Sequence, residues 1–307
     1  MKRVLFIINQ KSGTDRRKQL GRVIARELDG TRFSSEIVFT GYRGHAVTLA
    51  REGVQAGVDI IAAVGGDGSV NEVAQGMEGS DALLAVIPKG SGNGLARTLG
   101  IPRDTGRAIR LINRQHTRWI DAGTANGHLF LSNAGVGFDA LIARLFARNT
   151  GRGLLNYTKL VLHSLGKYQH KHYHLEADGH LLHEKAFFVA VANGTQFGYD
   201  FKIAPGALPD DGWLDLCVMH PLRMTNLPHV GLQALTGRLR NNAYIQQLRC
   251  RRVRITRDEP LEWMQVDGDA LPVENGYVEI GLRPRALRVI VPSPRPPKGG
   301  ITVKGEG

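Results

Sequence analysis

Ile60-Ile61-Ala62-Ala63-Val64-Gly65-Gly66-Asp67-Gly68-Ser69 is an apolar run that breaks into three glycines and a carboxylate, and Asn71-Glu72-Val73-Ala74 continues it with helical patterning. The stretch reads as a strand, a tight turn and a helix. Glycines at such a junction let backbone N–H groups come close to a ligand. The helix N-terminus behind them favours an anion through its dipole and its unpaired donors. A phosphate suits that environment. Asp67 narrows the choice, because a carboxylate beside a phosphate is repelled unless it binds the cation that travels with a nucleotide, which points to Mg-nucleotide. The same letters also suit an ordinary strand-to-helix turn whose glycines supply only positive φ, and this stretch alone leaves both readings open.

A second stretch repeats the pattern. Ala82-Leu83-Leu84-Ala85-Val86-Ile87-Pro88 is another buried-type strand, and it runs into Lys89-Gly90-Ser91-Gly92-Asn93-Gly94-Leu95-Ala96-Arg97. In a parallel sheet both loops fall at the carboxyl edge of the strands, where ligands of open α/β sheets bind. A third loop, Asn9-Gln10-Lys11-Ser12-Gly13, follows the apolar run Val4-Leu5-Phe6-Ile7-Ile8 at the same edge. The ordered pair GGDGSxNEV and PKGSGNxLAR resembles the catalytic family of diacylglycerol kinases, which includes soluble bacterial lipid kinases and is related to sphingosine kinases. The first loop is similar to the family's Asn-Pro-x-Ser-Gly element, with Gln10 in place of the Pro. The resemblance implies a nucleotide site formed by Asn9, Ser12, Gly13, Thr40, Gly65, Gly66, Asp67, Gly68, Ser69, Asn71, Glu72, Gly90, Ser91, Gly92 and Asn93.

The chain has 307 residues, enough for two domains, and 42% hydrophobic composition supports a sizeable core. Lys+Arg 40 against Asp+Glu 28 leaves a net charge of +12, which calls for an anionic partner: nucleotide, nucleic acid or an acidic membrane surface. Cys217 and Cys250 lie far apart without metal-ligand spacing, so neither a disulfide framework nor a cysteine zinc site is indicated. Met1-Lys2-Arg3 begins like a secretion signal, but five apolar residues precede Asn9, which makes Val4 to Ile8 a first strand instead. No run approaches the roughly 20 apolar residues of a membrane span, so membrane contact is expected to be peripheral to a cytoplasmic protein.

Along the chain, residues 1–118 alternate strands and helices and are expected to form a doubly wound nucleotide-binding α/β domain. The resemblance implies that a segment near residues 288–295 returns to it. From Trp119 short strands separated by Gly, Pro, Asn and Asp turns take over, so residues 119–291 are expected to form a β-rich, sandwich-type lipid-substrate domain, with a cleft between the two. Residues 292–307, rich in Pro and Gly, read as a disordered tail. Two runs stand out by charge. Residues 140–175 hold no Asp or Glu but six Lys/Arg and four His among many apolar residues, and residues 238–257 hold seven Arg and no acid. Each reads either as a solvated basic face or as a membrane-facing one, and a handful of basic residues acting together at roughly 1 kcal/mol each gives useful binding to an anionic leaflet.

Phosphoryl transfer also needs a group that orients or deprotonates the acceptor hydroxyl. Two acidic turns in the second half are candidates. Leu208-Pro209-Asp210-Asp211-Gly212-Trp213-Leu214-Asp215 is similar to the family's Asp-Gly-x-Leu element, and the resemblance implies that Mg2+ is held there by Asp211 with the backbone carbonyls of Leu208 and Trp213. Val266-Asp267-Gly268-Asp269 looks like the family's Asp-Gly-Glu element, which makes Asp269 the general base and Asp267 its support. Here Asp269 is one methylene shorter than the family's Glu. On a strand-like stretch the two carboxylates would point to the same side. Both clusters also read as plain Asp-Gly turns.

His45, His128 and the His170-Lys171-His172-Tyr173-His174 cluster carry no carboxylate partner nearby in sequence and are assigned no catalytic role, and Ser91 and Ser132 lack the Gly-x-Ser-x-Gly elbow of hydrolases. The leading expectation is an ATP- and Mg2+-dependent lipid kinase acting on a diacylglycerol-like or other long-chain hydroxyl at an anionic membrane surface. An NAD kinase shares the GGDG turn, and phosphofructokinases carry a similar one. A basic nucleic-acid-binding protein is a different class, but aromatics are only 7% and no RNA- or DNA-binding signature is present, so no nucleic-acid partner is expected. A catalytically idle lipid- or nucleotide-binding relative and a homo-oligomer both remain open.

Overall fold

The fold is described from a computed structural model over residues 1–9, 14–148, 154–198, 201–222, 224–239 and 243–293. Ser12 and Gly13 of the expected nucleotide site, and residues 294–307 of the expected tail, lie outside these.

The first half builds β1 (Lys2–Ile8), α1 (Thr14–Glu27), β2 (Phe33–Phe39), α2 (His45–Gln55), β3 (Ile60–Gly65), α3 (Asp67–Met77), β4 (Leu83–Pro88), α4 (Gly94–Thr98) and α5 (Thr105–Arg114). Strands β2, β1, β3 and β4 are parallel neighbours in that order. All six residues of β3 are buried, which is why it is apolar without alternation: helices cover both faces of a doubly wound sheet. Helices α2 and α3 pack together, as do α1 and α5, the arrangement that right-handed crossovers give this strand order. The N-terminus of α5 is capped by the Asp104 side chain, which accepts from Arg107 N at 2.8 Å.

The second half comprises β5 (Thr117–Ala125), β6 (His128–Phe130), β7 (Asn133–Gly137), α6 (Phe138–Arg148), α7 (Leu154–Leu165), β8 (Lys171–Ala177), β9 (His180–Ala186), β10 (Phe188–Ala192), β11 (Gln196–Gly198), β12 (Phe201–Lys202), β13 (Leu214–Met219), α8 (Leu227–Thr236), β14 (Ile245–Cys250), β15 (Arg252–Arg257), β16 (Trp263–Val266), β17 (Asp269–Pro272) and β18 (Val278–Ile290). The last strand joins the halves. It pairs antiparallel with β15 and β5 and, at Arg288 and Val289, parallel with β4, so the ten-stranded sheet runs from β2 through β18 to the β8–β9 edge. A register shift between Arg283 and Leu287, with Arg285 at φ 49°, lets one strand serve both ends.

A six-stranded antiparallel sheet, β14-β13-β10-β7-β16-β17, forms a second layer. Phe130, Tyr173, Leu175, Val189, Leu216, Val253, Val266 and Ile280 fill the core between the two sheets. Helices α6, α7 and α8 pack with Phe138, Phe187, Phe188, Met219 and Val230 in a separate apolar cluster. Fully buried side chains of this size contribute about 1.5–3 kcal/mol each, well above an exposed ion pair, so packing fixes the turns that carry the acidic residues. The two cysteines are free and buried.

The basic run 238–257 folds largely into β14 and β15, and four of its arginines have local partners: Arg249 pairs with Asp211, Arg251 lies over the Trp213 ring, Arg254 over the Tyr277 ring, and Arg257 donates to the carbonyls of Glu259 and Pro260. Residues 140–175 contain most of α6, all of α7 and the start of β8.

Candidate active site

Asn9, at the end of β1, and the loops after β2, β3 and β4 lie at one edge of the parallel sheet because parallel strands all end there. Asn9 Nδ2 donates to Ser69 Oγ at 3.1 Å, tying the first loop to the first turn of α3. Lys89 N donates to Gly65 O at 2.8 Å. A Cβ on Gly90 would lie 2.5 Å from the Gly66 Cα, so the two glycine loops touch backbone to backbone and Gly90 leaves no room for a side chain. Asn93, at φ 55°, closes its own loop: Oδ1 accepts from Gly90 N and Nδ2 donates to Gly90 O. Arg97 Nε donates to Gly92 O in the same loop. Thr40 is buried at the end of β2, its N–H donating to Ile8 O at 2.9 Å.

Asp67 braces this assembly. Its carboxylate accepts from Asn93 N at 2.8 Å and Gly94 N at 2.6 Å, one on each oxygen, so backbone N–H groups answer the charge for which sequence reading required a cation. Burial raises the Asp67 carboxyl above the usual carboxylate range, and those two N–H partners oppose the rise. Asn71 and Glu72 are likewise engaged within the protein. Asn71 Nδ2 donates to Leu129 O and to Asp267 Oδ2, both at 2.8 Å, while Glu72 accepts from Gly44 N and Ala46 N at the start of α2.

The two carboxylates of the Asp-Gly-Asp element do not share a side. Val266 pairs with Asp269 across the β16–β17 hairpin, whose turn is Asp267 at φ 47° and Gly268 at φ 87°. Two positive φ angles make the tight primed turn that joins antiparallel strands, and strand alternation fails inside it. Asp267 is buried. It accepts from Leu131 N, Ser132 N, Asn133 N and Asn71 Nδ2 at 2.8–3.1 Å, and burial pushes its carboxyl up to about 6 against the pull of those donors. Asp269 faces outward, with its side chain 56% exposed. Its Oδ2 lies 3.9 Å from where a Cβ on Gly68 would sit, in the first turn of α3, and 3.0 Å from Arg43 Nη2.

Sequence reading misses three residues that shape this turn. Gln265, 2% exposed, accepts from Gly268 N through Oε1 and donates through Nε2 to Asn133 Oδ1 at 2.7 Å and Asp139 Oδ2 at 3.3 Å. Asp139, at the start of α6, is partly buried, and that burial pushes its carboxyl up to about 7. Arg43 sits in the loop after β2. Its signal is position: a cation in a loop at the ligand edge of the sheet. The signal for Asp139 is an acid standing immediately before the acid-free run.

The 208–213 turn was expected to hold Mg2+. Its backbone is fixed by Asp121 of β5, whose N donates to Pro209 O at 2.6 Å and whose carboxylate accepts from Gly212 N and Arg285 N. Asp210 pairs with Arg118. Asp211 accepts from Trp213 N at 3.1 Å and faces Arg249 Nη2 at 3.3 Å. Burial pushes nearby Asp215 up to about 6, with Arg249 pulling down and Asp211 pushing up. A guanidinium thus stands where the cation was expected. Among the described residues no three His, Cys, Asp or Glu side chains converge there or elsewhere.

The geometry accords with what the chain is similar to. Residues 3–125 match the diacylglycerol kinase catalytic domain, and residues 132–291 match the YegS C-terminal NAD kinase beta sandwich-like domain. A diacylglycerol kinase of Bacillus subtilis (strain 168) is 29% identical, over 88% of this chain and 90% of that one. A "Probable lipid kinase YegS-like" protein of Chromohalobacter salexigens is 32% identical over 70% of each. Among solved structures, a diacylglycerol kinase from Bacillus anthracis superposes with a TM-score of 0.74 at 24% identity, covering 95% of this chain and 97% of that one, a likeness of fold. Two sheets in tandem, glycine loops locked together and an Asp-Gly-Asp turn brought to the first helical turn after the first of them describe a chain that belongs to the diacylglycerol kinase family of lipid kinases, with a YegS-type C-terminal domain.

Proposed function

We propose that the chain transfers the γ-phosphoryl group of Mg·ATP to the hydroxyl of a diacylglycerol-like or other long-chain lipid, with Asp269 as general base. The observation that carries this reading is the approach of the exposed Asp269 carboxylate to Gly68, at the N-terminus of α3. A helix N-terminus behind a glycine loop is where phosphate is favoured, so a base there faces the transferring end of a nucleotide. Asn9, Ser12, Gly13, Thr40 and the loops 65–69 and 90–93 form the nucleotide site in this reading, and Asp67, Asn71 and Glu72 hold its walls. Asp269 takes the lipid hydroxyl proton as the new O–P bond forms and the bond from the γ-phosphorus to ADP breaks. Asp267 is a positioning residue whose four N–H contacts fix the turn. Mg2+ enters as part of the nucleotide substrate.

The membrane part of the proposal rests on α7 and α8. No helix among the described residues is long and apolar enough to cross a membrane. Helix α8 contains no Asp, Glu, Lys or Arg, yet Leu232 and Leu235 on it are 61% and 54% exposed, and Leu162 on α7 is 60% exposed. With a net charge of +12, such a face suits peripheral contact with an anionic leaflet from which the lipid is drawn.

Incubation with radiolabelled ATP, Mg2+ and a total lipid extract tests the reaction. A labelled lipid phosphate monoester is expected. Asp269→Asn should lower kcat by about 10²- to 10⁴-fold, the usual worth of a general base, with ATP binding retained, and Asp269→Glu should keep substantial activity. Labelling of NAD in place of lipid, or an Asp269→Asn variant as active as wild type, would overturn the proposal.

A further inference from the structure

The loop after β2 is built as a rigid arch around one exposed cation. Glu72 of α3 accepts from Gly44 N at 3.0 Å and Ala46 N at 3.3 Å, His45 Nδ1 accepts from Gly41 N at 2.9 Å, and the Tyr42 ring stacks on His45 at 4.6 Å with a 7° interplanar angle. These contacts hold the backbone on both sides of Arg43, whose side chain is 73% exposed. Its Nη2 reaches Asp269 Oδ2 at 3.0 Å, and that oxygen is the one beside Gly68 in the first turn of α3. The remaining nitrogens of the guanidinium make no hydrogen bond among the described residues.

An ion pair this exposed adds little to stability, so the order around it needs another reason. The charges supply one. A carboxylate facing a triphosphate is repelled by it, and Asp67, the acid of the glycine loop, is already satisfied by backbone donors. A planar guanidinium presents several donors in a fixed fork and can hold a carboxylate with one nitrogen and a phosphoryl oxygen with another, which an ammonium cannot match.

We infer that Arg43 is a catalytic residue that bridges Asp269 to the terminal phosphoryl group of the nucleotide, holding both as the proton and the phosphoryl group move. This rests on the assignment of the nucleotide site and of Asp269 given above. It makes Arg43 a reader of the third phosphate, since the α- and β-phosphates fall to the backbone donors of the glycine loops.

Calorimetric binding of ATP and ADP to the wild-type chain, Arg43→Ala and Arg43→Lys, together with steady-state lipid phosphorylation and thermal melts, tests the inference. Arg43→Ala is expected to lose about 10- to 100-fold in ATP affinity, the worth of one charge-assisted hydrogen bond, with ADP affinity unchanged. Its kcat is expected to fall by at least as much, with the KM for lipid unchanged and the melting midpoint within about a degree of wild type. Arg43→Lys should regain most of the ATP affinity but little of the kcat. A wild-type chain that phosphorylates lipid, alongside an Arg43→Ala variant with the same ATP-to-ADP preference and the same kcat, would overturn the role of Arg43 while leaving the reaction intact. Equal losses for ATP and ADP, accompanied by a lower melting midpoint, would reduce Arg43 to a structural residue and equally overturn it. A wild-type chain that binds neither nucleotide would overturn the nucleotide-site assignment, and this inference with it.

Discussion

Asp139→Asn should change how stability depends on pH. Asp139 is partly buried with two hydrogen-bond partners, Ala140 N at 2.8 Å and Gln265 Nε2 at 3.3 Å, and burial pushes its carboxyl from 3.8 up to about 7. The folded state therefore holds the proton more tightly than the unfolded chain. Its stabilising contribution is complete below the unfolded pKa and is lost as pH rises through the folded one, between about 4 and 7. Three pH units at 1.36 kcal/mol each make the loss on the order of 4 kcal/mol. Asn has the shape of the protonated acid and does not titrate, so the variant should lack this decline. Melting curves of wild type and variant at pH 4.5, 6, 7 and 8 check the point. Asp267 and Asp215, both raised to about 6, titrate in both proteins, so the difference between the curves isolates position 139. The variant is expected to be less stable than or equal to wild type at pH 4.5 and more stable at pH 8, by up to about 4 kcal/mol, or several degrees in midpoint for a chain of this size. Parallel curves, with the same offset at every pH, would refute the reasoning.

Asp267→Ala strands four buried N–H donors at about 1–3 kcal/mol each before water or relaxation helps, so a loss of about 3–5 kcal/mol is expected in denaturant titration, whereas Asp269→Ala, an exposed side chain, should change stability by less than about 1 kcal/mol. Equal effects at the two positions would reverse the structural roles given to them. Gly90→Ala should force the two glycine loops apart and weaken ATP binding at least tenfold while the far β8–β9 edge keeps its hydrogen-exchange protection; unchanged affinity would show that the loop contact is slack. Flotation with anionic vesicles should weaken as salt rises, since exposed charges are screened over about 8 Å at physiological ionic strength, and Leu232→Ser with Leu235→Ser should lower binding further at every salt concentration. Binding that is the same on neutral and anionic vesicles would exclude the electrostatic part.

The β/α alternation, the all-apolar β3 and the two glycine loops were legible because each is local: a hydrophobic period or a backbone conformation is written within a few adjacent residues. The family resemblance rests on those same local strings. Long-range donors are a different matter. Asp267 and Asp269 look alike in sequence, and only a hairpin turn with two positive φ angles buries one among N–H groups from residues 131–133 and leaves the other beside Gly68. Asp67 reads as a cation ligand until the loop that supplies its N–H partners, 26 and 27 residues on, folds against it. Asp211 sits in an Asp-Gly turn by sequence, and only the pairing of β14 with β13 brings Arg249 beside it. The contact between Arg43 and Asp269 spans 226 residues and links the loop after β2 to the β16–β17 hairpin of the second sheet. Sequence by itself determined which chemical groups the chain carries and which local shapes present them. Tertiary structure decided which of those groups neutralise one another and which remain exposed for a substrate, because a carboxylate's role depends on the donors around it and those come from distant parts of the chain.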